Sequence, residues 1–163
     1  MIKLAANYKS LGVYILHGDA DKTVSVNYAR QMRKVLADFH TDMSYHEVPG
    51  GEHWFGDQSV DWKPLFEFFK WHELAADSPV NTIAFTTASP GISSSYRWAT
   101  IQQQLHPLQY SRIRLIRNKG MKTITGSTQN TRTLKLDLEG FGKNAPVTII
   151  LDSLPPLLYT TVS

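Results

Sequence analysis

The chain has 163 residues, a formal net charge of +3 at pH 7 and no cysteine. The absence of cysteine excludes a disulfide scaffold and thiolate metal sites. No apolar run approaches the length of a transmembrane helix, and residues 1–8 are too short and too polar for a signal peptide. A hydrophobic fraction of 42% is ordinary for a chain that buries a core, so we expect one medium domain or two small ones.

Charge is distributed unevenly along the chain. Residues 1–80 contain eight Lys or Arg against eleven Asp or Glu, whereas residues 81–163 contain nine against three. This shift predicts two domains, at 1–76 and 82–163, joined by a short linker. A basic second half is compatible with nucleic acid, but neither clustered aromatic residues nor a known binding module is evident. We therefore expect no nucleic-acid partner.

Strand and helix signals alternate in the first half of the chain. Residues 13–16 form an apolar run of the kind found in buried parallel strands, and residues 43–48 predict a second strand. Between them, residues 26–39 carry apolar side chains at helical spacing, and residues 61–74 predict a second helix. This order predicts a parallel, right-handed unit.

The pattern changes after the linker to short segments rich in β-branched residues and separated by turn signals. Six or seven short strands without helical periodicity predict a small all-β sandwich with antiparallel strands. The predicted strands are 83–87, 96–102, 113–117, 121–125, 133–138, 147–151 and 157–162.

Two titratable side chains, about thirty residues apart, each follow a predicted strand in the first half. Asp21 lies in a Gly-containing turn after the first strand, and His53 follows Gly50 and Gly51 after the second. A hydroxyl nucleophile needs a neighbouring base, and a histidine base needs a carboxylate to hold its tautomer. Asp21 and His53 are therefore the candidate catalytic residues. No serine lies in the G-x-S-x-G nucleophile motif anywhere in the chain.

These segments resemble the C-terminal end of the catalytic domain in prolyl oligopeptidase and dipeptidyl-peptidase-type serine peptidases. In that family a strand ends in His-Gly, two residues precede the catalytic Asp, a Val follows, and a Gly-Gly-x-His pattern carries the histidine. The corresponding residues here are His17, Gly18, Asp21, Val24, Gly50, Gly51 and His53. The resemblance implies that Asp21 is the triad acid and His53 the triad base. It departs from the family at Lys22, where an acid or amide is common, and at Glu52, where a small residue is common.

The resemblance implies a fold and a function. The fold class would be α/β, the C-terminal part of an α/β-hydrolase sheet, followed by the β-sandwich. The chain would be a fragment of a serine peptidase, or less commonly an esterase, inactive without its nucleophile. Its partners would be the remainder of the hydrolase domain, in the same chain or another subunit, and a peptide substrate. No cofactor, metal or membrane segment is expected, and the parent protein would be secreted or periplasmic.

His17 and Asp19, which lie close to Asp21 in the sequence, are also titratable and need an interpretation of their own. We expect His17 to be structural and Asp19 to form a turn, with Asp19 as the second choice for the triad acid. A metal site at His17, Asp19 and Asp21 is not favoured, because no second histidine lies at a ligand spacing.

The alternative function is a non-enzymatic binding or docking module built on the β-sandwich, with a degenerate hydrolase segment.

The basic residues of the second half form a cluster near a predicted hairpin. They are Arg112, Arg114, Arg117, Lys119 and Lys122. Because Arg112 and Arg114 alternate with apolar residues, we expect them on the solvated face of a strand, where positive charge guards an exposed sheet edge. Tyr96, Trp98 and Tyr110 are interpreted as core or interface aromatics rather than a carbohydrate-stacking surface.

Overall fold

The computed structural model describes residues 2–56 and 62–161. The chain divides into two compact units, Met1–Leu74 and Ala75–Ser163, which we call the first unit and the second unit. Within the described residues, no helix is long and apolar enough to cross a membrane.

The described part of the first unit contains one parallel strand pair, two α-helices and a 3₁₀ helix. A 3₁₀ helix, Ile2–Tyr8, precedes strand β1 and helix α1, and strand β2 and helix α2 follow. Strands β1 and β2 pair in parallel, from Val13 opposite Met43 to Gly18 opposite Val48. The bounds are Val13–Gly18 for β1, Asn27–Ala37 for α1, Met43–Val48 for β2 and Lys63–Lys70 for α2.

The two helices of the first unit differ in how much they bury. Helix α1 buries Met32 and Leu36, which pack with Ala5 in a small apolar cluster. Helix α2 has no fully buried residue, and its Phe66 and Phe69 are about half exposed. The predicted second helix, 61–74, is longer than α2, and its first residue, Asp61, lies outside the described residues.

The second unit contains eight described strands in two sheets. One sheet has the order β10-β9-β7-β6-β3 and the other has the order β4-β5-β8. Neighbouring strands are antiparallel except β7 and β9, which are parallel. The bounds are β3 Thr82–Thr87, β4 Ser95–Tyr96, β5 Ala99–Gln103, β6 Ser111–Asn118, β7 Thr123–Gln129, β8 Thr133–Leu136, β9 Pro146–Leu151 and β10 Leu157–Thr160.

Side chains from both sheets of the second unit meet in one apolar core. Ile113 and Leu115 of β6 are buried there together with Trp98 and Ile101. The predicted strand 96–102 is split into β4 and β5 at Arg97, whose φ of 56° lies in the left-handed region.

Arg117 belongs to the basic cluster that the sequence places near a hairpin, and the structure buries it at 4% exposure. Its guanidinium group lies 5.0 Å from the ring of Trp98 and donates hydrogen bonds to the carbonyl oxygens of Asp77 and Val80. Burial lowers the pKa of Arg117, although Asp137 and Asp77 oppose this shift. Arg117 therefore anchors the start of the second unit.

The predicted fold class, an α/β-hydrolase sheet portion followed by a β-sandwich, is wrong. The described chain is mainly β: ten strands lie in three sheets, and only two of those strands form a parallel pair beside the two α-helices. A layered α/β arrangement needs several parallel strands covered by helices on both faces. A single strand–helix–strand unit has the local sequence pattern of such a fold, but it does not form the layers of that fold.

Candidate active site

Asp21 lies in the turn that follows β1, and backbone N–H groups of the same turn hold its side chain in place. Its Oδ1 accepts hydrogen bonds from the backbone N–H groups of Thr23 and Val24, both at 2.8 Å. This is the usual way in which an aspartate closes a turn two or three residues ahead. The Asp21 side chain is only 4% exposed, so one carboxylate oxygen is fixed and the other is directed by the turn.

His53 lies in the loop that follows β2, and this loop is bound tightly to the Asp21 loop. Gly50 adopts a φ of +68°, which favours glycine, and its N–H donates to Asp19 Oδ1 at 2.6 Å. The N–H of Ala20 donates to the Gly51 carbonyl at 2.9 Å. A Cβ atom on Gly18 would meet the Gly51 carbonyl, so the two backbones touch because both residues are glycine.

The two loops bring the predicted catalytic residues into contact. His53 Nδ1 lies 2.9 Å from Asp21 Oδ2, and because the carboxylate is ionised, Nδ1 is the donor. The neutral imidazole then has its lone pair on Nε2, which has no hydrogen bond to any described residue. The His53 side chain is 36% exposed. This is the geometry of an oriented general base with its reactive nitrogen open.

The environment keeps Asp21 ionised. Burial alone would raise its pKa, but the hydrogen bonds from Val24, His53 and Thr23, together with the charge of His53, outweigh burial and lower the pKa to about 2. A carboxylate that stays charged at neutral pH can hold the histidine tautomer and stabilise the imidazolium form.

His17 makes a contact with Asp21 that the sequence spacing did not indicate. Its Nε2 lies 2.9 Å from the Val24 carbonyl oxygen and 3.3 Å from Asp21 Oδ2. A carbonyl oxygen only accepts, so His17 Nε2 carries a proton and is shared between the two oxygens. His17 thus supports the turn around Asp21, and Asp19 supports the loop around His53 through Gly50.

A second histidine–aspartate pair lies elsewhere in the first unit and serves a different purpose. His72 Nε2 lies 2.9 Å from both carboxylate oxygens of Asp42, and its Nδ1 lies 2.5 Å from the Phe68 carbonyl oxygen. Both ring nitrogens lie within hydrogen-bond distance of an acceptor, and the pKa of His72 is raised by the hydrogen bond to Phe68 first and by Asp42 second. Neither nitrogen is open, so His72 is not placed to act as a base.

Within the described residues, no group of three or more His, Asp or Glu side chains is placed to hold a metal ion. The Asp19 carboxylate is directed to Gly50, and His17 is directed to a carbonyl oxygen.

Comparison with known proteins identifies a relative whose description names no activity. No family model and no solved structure matches the chain. The chain is similar to a protein of Arthroderma benhamiae described as an uncharacterized secreted protein, with 26% identity over 154 residues. The match covers 91% of this chain and 16% of the relative, so the chain spans about a sixth of the relative's length.

Proposed function

We propose that this chain supplies the acid and the base of a serine hydrolase, as the C-terminal part of a prolyl-oligopeptidase-like peptidase. One observation carries the proposal. His53 donates from Nδ1 to a buried, ionised Asp21 carboxylate at 2.9 Å, while its Nε2 is open among the described residues. The second histidine–aspartate pair of the chain lacks this open nitrogen.

In the proposed reaction His53 acts first as a base and then as an acid. Nε2 takes the hydroxyl proton of a serine as the serine oxygen bonds to the substrate's carbonyl carbon. The bond from that carbon to the leaving nitrogen then breaks, and Nε2 returns the proton to the departing amine. Water hydrolyses the acyl-enzyme through the same two proton transfers. Asp21 stabilises the imidazolium form in both stages.

The proposal requires a nucleophile from outside these 163 residues. The partner is the remainder of the hydrolase, in a longer polypeptide or in another subunit, and the substrate is a peptide. Two features of the relative support this arrangement: it is about six times as long as the matched segment, and it is described as secreted. A secreted parent enzyme would act outside the cell or in the periplasm.

The test uses the native protein purified from its source cells through a tag on this chain. We expect it to hydrolyse peptide aryl amides, and we expect His53→Ala to lower kcat by roughly 10⁶-fold and Asp21→Asn by roughly 10⁴-fold. The matched control is His106→Ala, because His106 is exposed and only its backbone atoms make hydrogen bonds to described residues.

The purified 163-residue chain alone should show no hydrolysis above the uncatalysed rate. Native material without peptidase or esterase activity would contradict the proposal. Activity that survives His53→Ala would contradict it equally.

A further inference from the structure

Strand β6 separates its side chains cleanly between the core and an outer face. Ile113 and Leu115 are buried, whereas Arg112 and Arg114 lie on the opposite side, with Arg114 exposed and Arg112 half-buried. The two arginines are two residues apart on one strand, so their Cα atoms are separated by about 6.6 Å.

The position of β6 removes the simplest explanation for these arginines. Positive charge guards a sheet against aggregation when it lies on an edge strand. Strand β6, however, is hydrogen-bonded to β3 on one side and to β7 on the other. The edges of this sheet are β3 and β10. The interpretation of Arg112 and Arg114 as edge guards is therefore wrong.

Among the described strand positions, the outer face is mostly polar, with a few aliphatic side chains such as Ile116, Ile150 and Leu158, and it carries no negative charge. The strand register places no Asp, Glu, Phe, Tyr or Trp among its positions. Those positions are Thr82, Ala84, Thr86, Arg112, Arg114, Ile116, Asn118, Thr123, Thr125, Ser127, Gln129, Pro146, Thr148, Ile150, Leu158 and Thr160. Without an aromatic ring, the face offers no platform for stacking nucleic-acid bases.

The two guanidinium groups are available for a ligand. Neither Arg112 nor Arg114 forms an ion pair with any described residue. Arg112 donates one hydrogen bond from Nη1 to Gln129 Oε1 at 2.8 Å, which fixes its position and leaves its other donors. Both arginines line a surface depression of about 330 Å³ together with Ser127 and Gln129.

We propose that this face, called the arginine face, binds an acidic peptide in extended conformation. Alternate side chains of an extended peptide repeat at the same ~6.6 Å spacing as Arg112 and Arg114. Two carboxylates at positions i and i+2 can therefore each meet one guanidinium fork, a geometry that arginine suits better than lysine. Ser127 and Gln129 add hydroxyl and amide donors beside the arginines. The inference does not depend on the proposed hydrolase function.

The experiment measures binding of fluorescein-labelled peptides to the full chain by anisotropy at low salt. One peptide alternates glutamate with threonine, and a second has the same number of glutamates at every third position. Arg112→Gln with Arg114→Gln is compared with Arg132→Gln with Lys135→Gln, which removes the same charge from exposed residues outside this face. Thermal melts establish that both double variants fold. Arg114→Gln alone is included because Arg114 is exposed and its side chain forms no ion pair with a described residue.

We expect the alternating peptide to bind more tightly than the other peptide, and its Kd to rise roughly fivefold or more in the arginine-face variant. The control variant should change the Kd less than about twofold. Three results would overturn the proposal: no binding, equal loss in both double variants, or no preference for alternate spacing. Binding of a sulfated polysaccharide in place of the peptide would overturn it too.

Discussion

At the scale of single residues, the candidate site depends on the carboxylate of Asp21, which the surrounding hydrogen bonds hold in its charged form. Asp21 accepts two backbone hydrogen bonds on Oδ1 and the His53 proton on Oδ2, while its side chain is almost fully buried. These bonds stabilise the ionised form more than burial destabilises it. Folding and ionisation of Asp21 are therefore linked.

This linkage predicts a loss of stability in acid. The pKa of Asp21 is about 2 in the folded protein and close to its ordinary value, about 3.9, in the unfolded chain. Between these values the unfolded chain binds more protons, so the free energy of unfolding falls as the pH drops from about 4 to about 2. Above this range the contribution is fully present. Urea unfolding at several pH values should show a shallower decline in Asp21→Asn than in the wild type.

The control for this measurement is Asp38→Asn, at the exposed end of α1, which should keep the wild-type decline. Glu47 contributes to the decline with the same sign in every variant, since Arg30 and then Tyr45 lower its pKa to about 2. A decline in Asp21→Asn as steep as that of the wild type would show that Asp21 is not held in this way.

The sequence predicted which two residues form the candidate site, but it did not predict the contacts that support them. Asp21 and His53 were singled out by their types, their order and their positions after strands, and the structure places their side chains 2.9 Å apart. The contact of His17 with Asp21 and the bond from Gly50 to Asp19 were not indicated. Both depend on how two loops approach each other, which residue spacing within either loop does not determine.

At the scale of elements, the site is built from two loops whose backbones touch. The register of β1 and β2 brings Gly18 opposite Val48, so the chain leaves both strands at the same level. From there, hydrogen bonds join Asp19 to Val48 and Ala20 to Gly51. The distance between Asp21 and His53 is thus set by backbone contacts as much as by the side chains themselves.

Because the two backbones touch at Gly18, we expect Gly18→Ala to disturb the site even though neither Asp21 nor His53 is substituted. The added methyl group would meet the Gly51 carbonyl group and the Glu52 carbonyl oxygen, all of which are backbone atoms. Such overpacking costs about 1–3 kcal/mol. We expect a corresponding loss of stability in the first unit, measured by hydrogen exchange at β1 and β2, and loss of the His53 Nδ1–H signal in NMR spectra.

Gly91→Ala is the matched control, because a Cβ atom there would have only an ordinary contact, 3.8 Å from Ser89 Oγ. It should leave both the exchange rates and the His53 signal unchanged. If Gly18→Ala behaved like Gly91→Ala, the close approach of the two loops would not be what sets the site.

At the scale of the whole molecule, local patterns located elements but not their assembly. Each of the seven predicted strands of the second half overlaps a described strand, because alternation of buried and exposed residues is a local property, as in β6. The predicted fold class was wrong, because one strand–helix–strand unit has the same local sequence pattern whether it stands alone or belongs to a large layered sheet. Local patterns also could not predict that β7 pairs in parallel with β9 or that β6 lies inside its sheet. Both features depend on contacts between residues distant in sequence.

The first unit carries the candidate site beside only a small apolar core. Its buried apolar cluster has three fully buried residues, Ala5, Met32 and Leu36, whereas the core of the second unit has nine. A two-stranded sheet is marginal on its own. The exposed aromatic residues of α2 add apolar surface that no described residue covers fully. The described part of the first unit therefore has little buried apolar surface of its own.

The most direct test of the central claim is to map a fluorophosphonate adduct on the native protein by mass spectrometry. The account predicts an adduct on a serine outside residues 1–163, in the same polypeptide or in a subunit that copurifies with it. The rate of adduct formation should fall sharply in His53→Ala, because the serine then lacks its base. Absence of any adduct, or an adduct that forms at the same rate in His53→Ala, would contradict the account.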